Sequence, residues 1–160
     1  ADRKRSYRPG EAPLQIKVQN VLNFILAQIG IKDHKVEDVF CTNLLFYRSL
    51  DSNFLNQYGN IDFFKFHEEF LNIVKPKIIV CCGNGKINSP YSKFMEVFGT
   101  KSEQPSPLYG TFSLKWFAIE NPGWRQGKAL VIGLPHLSRY KRDIEKEPAF
   151  KKLLMSWKEA

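Results

Sequence analysis

The stretch "KIIVCCGNGKINSPYSKF", residues 77 to 94, decides the fold class. Behind Lys77 comes a short, continuous apolar run. Two glycines then turn the chain, and Pro90 stands where the first turn of a helix accepts proline. The stretch therefore predicts a strand, a loop and a helix in that order. A strand that is apolar along its whole length has both faces covered, whereas a sheet with one wet face shows alternation. "KALVIGL", residues 128 to 134, has the same character. Strands of this kind separated by helices predict an α/β protein, a three-layer α/β/α arrangement around a mainly parallel central sheet.

The flanking sequence fills in that plan. Leu14, Val18, Val21, Leu22, Ile25 and Ile29 repeat at helical spacing, and Gly30 follows as a stop. "DVFCTNLLFY", residues 38 to 47, reads as a buried strand, and residues 48 to 60 as a long surface loop. "IDFFKFHEEFLNIV", residues 61 to 74, reads as a helix halted by Pro76. Residues 99 to 111 read as a loop rich in Gly, Ser and Pro. "FSLKWFAIE" is a strand, "NPGWRQG" a turn and "EPAFKKLLMSWKEA" an amphipathic helix. The sequence contains no internal repeat.

A chain of 160 residues, 43% hydrophobic and 14% aromatic, holds one core and is too short for two ordinary domains. Its 24 Lys and Arg against 16 Asp and Glu give a net charge of +8, a balance that favours polyanionic partners. Arg3, Lys4, Arg5 and Arg8 make residues 1 to 13 a basic extended arm or a truncated start, with the folded domain running from 14 to 160. The three cysteines are odd in number, and Cys81 and Cys82 are adjacent within an apolar strand. Both read as core residues rather than a disulfide or a nucleophile, in a reducing compartment. No apolar run reaches the roughly 20 residues needed to span a bilayer, and no signal-peptide pattern is seen, so the expected protein is a cytoplasmic monomer without membrane contact.

Ligands of open α/β sheets bind beyond the carboxyl ends of the strands. That rule selects three segments: "TN" at 42 to 43, "GNG" at 83 to 85 and "PHLSRY" at 135 to 140. Asn43 has either a backbone partner in its own turn or a base edge to read, since a carboxamide offers an acceptor beside two donors. The glycine loop either turns the chain or aims backbone amides at an anion near a helix start. His34 and His67 read as structural residues. His136 follows a strand-ending proline and is the histidine placed for function, with Ser138, Arg139 and Tyr140 beside it.

Taken in order, "VFCTN", "IIVCCGNG" and "PHLSRY" resemble the base-reading strand, the phosphate loop and the His-Pro-Ser loop of the uracil-DNA glycosylase superfamily. The likeness runs from Leu14 to about residue 143. It implies a uracil-DNA glycosylase-like fold and a DNA glycosylase that hydrolyses the N-glycosidic bond of uracil or another altered base, acting in base excision by base flipping with no metal or cofactor. It further implies that Asn43 recognises the flipped base and that Gly83, Asn84 and Ser138 contact DNA phosphate. His136 would be catalytic, donating to the base oxygen that gains charge, and Arg139 and Tyr140 would face the DNA groove. The chain departs from the family in three respects. Leu137 stands where the family has proline, Tyr47 stands where the iron-sulfur branch has a cysteine, and nothing upstream of Leu14 matches the water-activating motif, Glu11 being the one acidic residue in "RPGEAP". The first strand of the sheet is accordingly expected upstream of Ala1. A non-catalytic nucleic-acid-binding relative and an enzyme acting on free nucleotides are the alternative readings.

Overall fold

The computed structural model describes residues 8, 11–31, 33–42, 64–86, 89–99 and 104–158. The expected helices and three of the strands form close to where the sequence places them. Helix α1 spans Pro13–Ile29, with proline in its first turn and Gly30 closing it at φ 81, a left-handed conformation that glycine adopts without a Cβ penalty. Helix α2 spans Phe64–Val74, strand β1 Ile78–Cys82 and helix α3 Pro90–Phe98. Strands β2, β3 and β4 span Gln104–Pro107, Ser113–Glu120 and Lys128–Leu134, and helix α4 spans Pro148–Lys158.

The class is α/β, but the sheet is mixed and mostly antiparallel rather than mainly parallel. Its order is β1-β4-β3-β2, with only β1 and β4 parallel. The physical reason lies in the connections. Parallel neighbours need a crossover of a dozen or more residues, and residues 121 to 127 between β3 and β4 allow only a hairpin. Strand β2 lies within the segment expected to be a loop. Its "QPSP" sequence suits an edge position, where a strand accepts proline. Within the segment expected to form a strand from residue 38, Val36–Asp38 is a 3-10 turn and residues 39 to 42 carry no regular structure. Residues 43 to 47 lie outside the described residues.

β4 organises the core. Leu130, Ile132 and Leu134 face one cluster with Val21 and Ile25 of α1 and Phe150, Leu153 and Leu154 of α4. Ala129 and Val131 face the other, with Phe64 and Leu71 of α2, Tyr91 and Phe94 of α3, and Phe117 of β3. The alternation follows from the two-residue period of a strand. It gives β4 helices on both faces, which is why its sequence is apolar throughout. Phe24 and Phe150 join α1 to α4 with ring centroids 5.7 Å apart. Among the described residues no helix is long and apolar enough to cross a membrane.

Candidate functional site

Because β1 and β4 run parallel, with Cys82 opposite Leu134, the loops that follow them leave the same edge of the sheet. The Gly83 backbone N–H donates to Leu134 O at 2.9 Å, so the glycine loop is bonded to the strand end that leads into His136. Gly83 has φ 136 and a Cβ there would sit 3.4 Å from Pro90 Cδ, so the turn requires a residue without a side chain. Its carbonyl accepts from Tyr91 N–H at 3.3 Å. Ser89 finishes the connection. Its hydroxyl caps α3 by accepting from Ser92 N–H at 3.0 Å, and donates to Gly85 O at 2.7 Å.

Asn84 is spent differently from the expected phosphate contact. Its Nδ2 donates to Ser113 O at 2.6 Å and to Gly133 O at 2.9 Å, which uses both amide hydrogens on the backbone of β3 and β4. The backbone N–H groups of Asn84 and Gly85 have no partner among the described residues. What this loop offers an anion is therefore main chain rather than the asparagine side chain.

In the second loop, buried and exposed side chains take turns. Pro135 and Leu137 are buried, and Leu137 joins the core cluster that α1 and α4 share. Leu137 thus has a packing role. His136, Ser138 and Arg139 are exposed. His136 O accepts from Arg139 N–H at 2.8 Å and Tyr140 N–H at 3.1 Å, closing a tight turn. Lys17 of α1 then donates through Nζ to Tyr140 O at 2.6 Å and Leu137 O at 3.2 Å, fastening the turn from outside. Ser138 Oγ lies 2.7 Å from His136 Nδ1. A hydroxyl donating to Nδ1 leaves the ring proton on Nε2, turning that nitrogen into an outward donor.

Tyr140, expected in a DNA groove, is turned inward instead. It is 1% exposed, its ring meets Phe112 edge-on at 5.3 Å, and its hydroxyl donates to Glu147 Oε1. Burial, reinforced by the Glu147 carboxylate, pushes the phenol from 10.0 up to about 12. The neutral phenol thus stabilises the fold in full below the unfolded value, and the contribution is lost as pH rises from 10.0 towards about 12. We expect Tyr140→Phe to remove the part of the alkaline loss of thermal stability that falls in this window, as read from unfolding midpoints across a pH series. The part that starts near 9.0 persists, because burial also raises the Cys81 and Cys82 thiols, the latter to about 11. A Tyr140→Phe profile identical to that of the parent would refute this assignment. Cys81 is buried in one core cluster and the half-buried Cys82 packs against the other, and their raised thiols disfavour the nucleophilic thiolate.

Asn43 and Tyr47 lie outside the described residues, so the site comprises two of the three segments. His67 is buried beside Phe64 and Phe70, as expected of a structural residue. Lys17, which fastens the His136 turn, is a residue of the candidate site that sequence reasoning missed, since its apolar-face neighbours mark only a helix. No family model, curated protein or solved structure matches this chain.

Proposed function

We propose that this chain is a DNA glycosylase of the uracil-DNA glycosylase type, hydrolysing the bond between an altered base and deoxyribose. The observation that carries the reading is the parallel β1–β4 pair, which brings the Gly83–Gly85 loop and the His136–Arg139 turn to one sheet edge. In the reaction the base leaves with the electron pair of the glycosidic bond, water adds to the sugar carbon, and a proton from that water ends on the base. Charge builds on a base carbonyl oxygen as the bond breaks, and a fixed donor at that oxygen lowers the barrier. His136 Nε2, oriented by Ser138, supplies the donor.

The backbone amides of Asn84 and Gly85, which have no partner among the described residues, supply with Arg139 the phosphate grip that holds an extruded nucleotide. Asn43 reads the base edge in this proposal. A net charge of +8 supports a polyanionic substrate.

The test is base release from labelled oligonucleotides carrying uracil, hypoxanthine, xanthine or alkylated bases, scored by alkaline cleavage at the abasic product. Release from at least one of them, and none from an unmodified strand, is the expected result. Salt-sensitive DNA binding with no release from any substrate would replace this reading with that of a binding module. Tight mononucleotide binding without DNA affinity would replace it with an enzyme of free nucleotides.

A further inference from the structure

Tyr109 stands at the tip of the hairpin joining β2 and β3, which the Leu108 N–H to Phe112 O bond of 3.0 Å closes. Arg142 lies over its ring, with Cζ 3.7 Å from the centroid. The cation covers one face of the ring, yet Tyr109 remains 55% exposed. Beside it, a Cβ built on Gly110 would meet nothing within 4 Å. Arg142 is itself exposed, and its guanidinium N–H groups have no hydrogen-bond or ion-pair partner among the described residues.

The pair is fixed to the candidate site. Phe112, which closes the same hairpin, packs edge-on at 5.3 Å against Tyr140, the residue that ends the His136 turn, and Arg142 follows two positions later. Leu108, before Tyr109, is buried in the core cluster. An aromatic ring more than half exposed, backed by an exposed guanidinium, matches what an unpaired base and its phosphate need. Arg139 and Lys141, both exposed, extend the positive charge from the turn towards this pair. As a staple of the fold the pair contributes little, because an exposed cation over a ring adds only a small increment.

We propose that Tyr109 and Arg142 form a stacking platform for an unpaired base of single-stranded DNA, adjoining the His136 turn. This rests on the reading of DNA as the substrate and adds to it a second contact, on the strand flanking the base that is removed. Stacking requires an accessible base face, which a duplex conceals, so the platform favours single-stranded DNA or a strand opened around a flipped nucleotide.

The experiment measures binding of the full chain to a fluorescent, unmodified thymine oligonucleotide of about 15 nucleotides, by anisotropy over a range of salt concentrations. Tyr109→Ala is expected to weaken binding about tenfold with the salt slope unchanged, and Tyr109→Trp to bind at least as tightly as the parent. Arg142→Ala should weaken binding and lower the salt slope by about 0.7, the share of one phosphate contact on a single strand. Thermal midpoints should not move. Parental affinity in both alanine variants overturns the platform. So does weakening by Tyr109→Trp equal to that by Tyr109→Ala, or an affinity loss that follows a loss of thermal stability. Because the probe carries no altered base, its binding is independent of base release. Tyr109-dependent binding without any release would sink the glycosylase reading and leave the platform standing, and release with no Tyr109 dependence would do the reverse.

Discussion

Gly133→Ala is expected to lower stability by about 3 kcal/mol, the upper end of the cost of overfilling a packed core. Gly133 sits in β4 opposite Cys81 of β1 and Lys115 of β3, so its backbone is held on both sides. A Cβ there would lie 2.4 Å from Tyr91 Cδ2 and 2.6 Å from Cγ, inside any tolerable contact. Tyr91 cannot easily withdraw. It is 2% exposed and packs edge-on against Phe117 at 5.7 Å. For a chain of this size the loss corresponds to a fall of about 6 to 12 °C in thermal midpoint.

The same change reaches the rim. Asn84 donates to Gly133 O, and Tyr91 N–H donates to Gly83 O, so displacing either side of the clash moves the glycine loop. Under the proposed function, Gly133→Ala should therefore impair DNA binding even well below its melting temperature. Tyr91→Ala is the control that isolates the cause. With the ring gone, Gly133→Ala partly fills the resulting cavity and should raise the midpoint of the Tyr91→Ala protein. An additive loss in the double variant would show that the ring is not the obstacle.

Gly133 also illustrates what was legible in the sequence. "KALVIGL" announces a strand buried on both faces, and its bounds are those of β4, but nothing local says that the glycine makes room for a tyrosine of another element. Gly30 at the end of α1 and Pro90 at the start of α3 were readable because they depend on local chemistry, whereas Pro13, assigned to the extended arm, opens α1 and Ser89 caps α3. Strand direction was not read correctly, although the short "NPGWRQG" link between β3 and β4 carried the information. Whole-strand apolarity shows that both faces are covered. It does not show which way the neighbouring strand runs.

The site shows the same division between local and distant causes. The sequence placed His136 and the glycine loop at strand ends, and the β1–β4 pairing puts them at one edge. It did not reveal the inward turn of Leu137 and Tyr140, which depends on pockets built by α1, α4 and Phe112. Nor did it reveal the Lys17 bonds, whose partners lie 120 and 123 positions away. Asn84 looked like a phosphate ligand because it follows a strand, yet a strand end also leaves backbone carbonyls without ladder partners. Its carboxamide satisfies two of them.

Under the proposed glycosylase function, His136→Ala is expected to slow base release by about 100- to 1000-fold in single-turnover experiments, on the altered base that the assay identifies as substrate. The argument is one of differential binding. A fixed donor gains little from the base oxygen in the intact nucleotide and much more once that oxygen carries the departing charge, so its removal raises the barrier without a matching loss of affinity. Binding to uncleaved DNA should consequently change by only a few-fold, and the thermal midpoint should hold because the side chain is exposed. Ser138→Ala leaves the histidine in place but deletes the partner 2.7 Å from Nδ1. A donor that remains but is less well oriented should cost about tenfold, well short of complete removal. Parental rates in His136→Ala would exclude this residue as the stabilising donor. Equal losses in binding and in rate would instead assign it to uniform binding of the DNA rather than to the breaking bond.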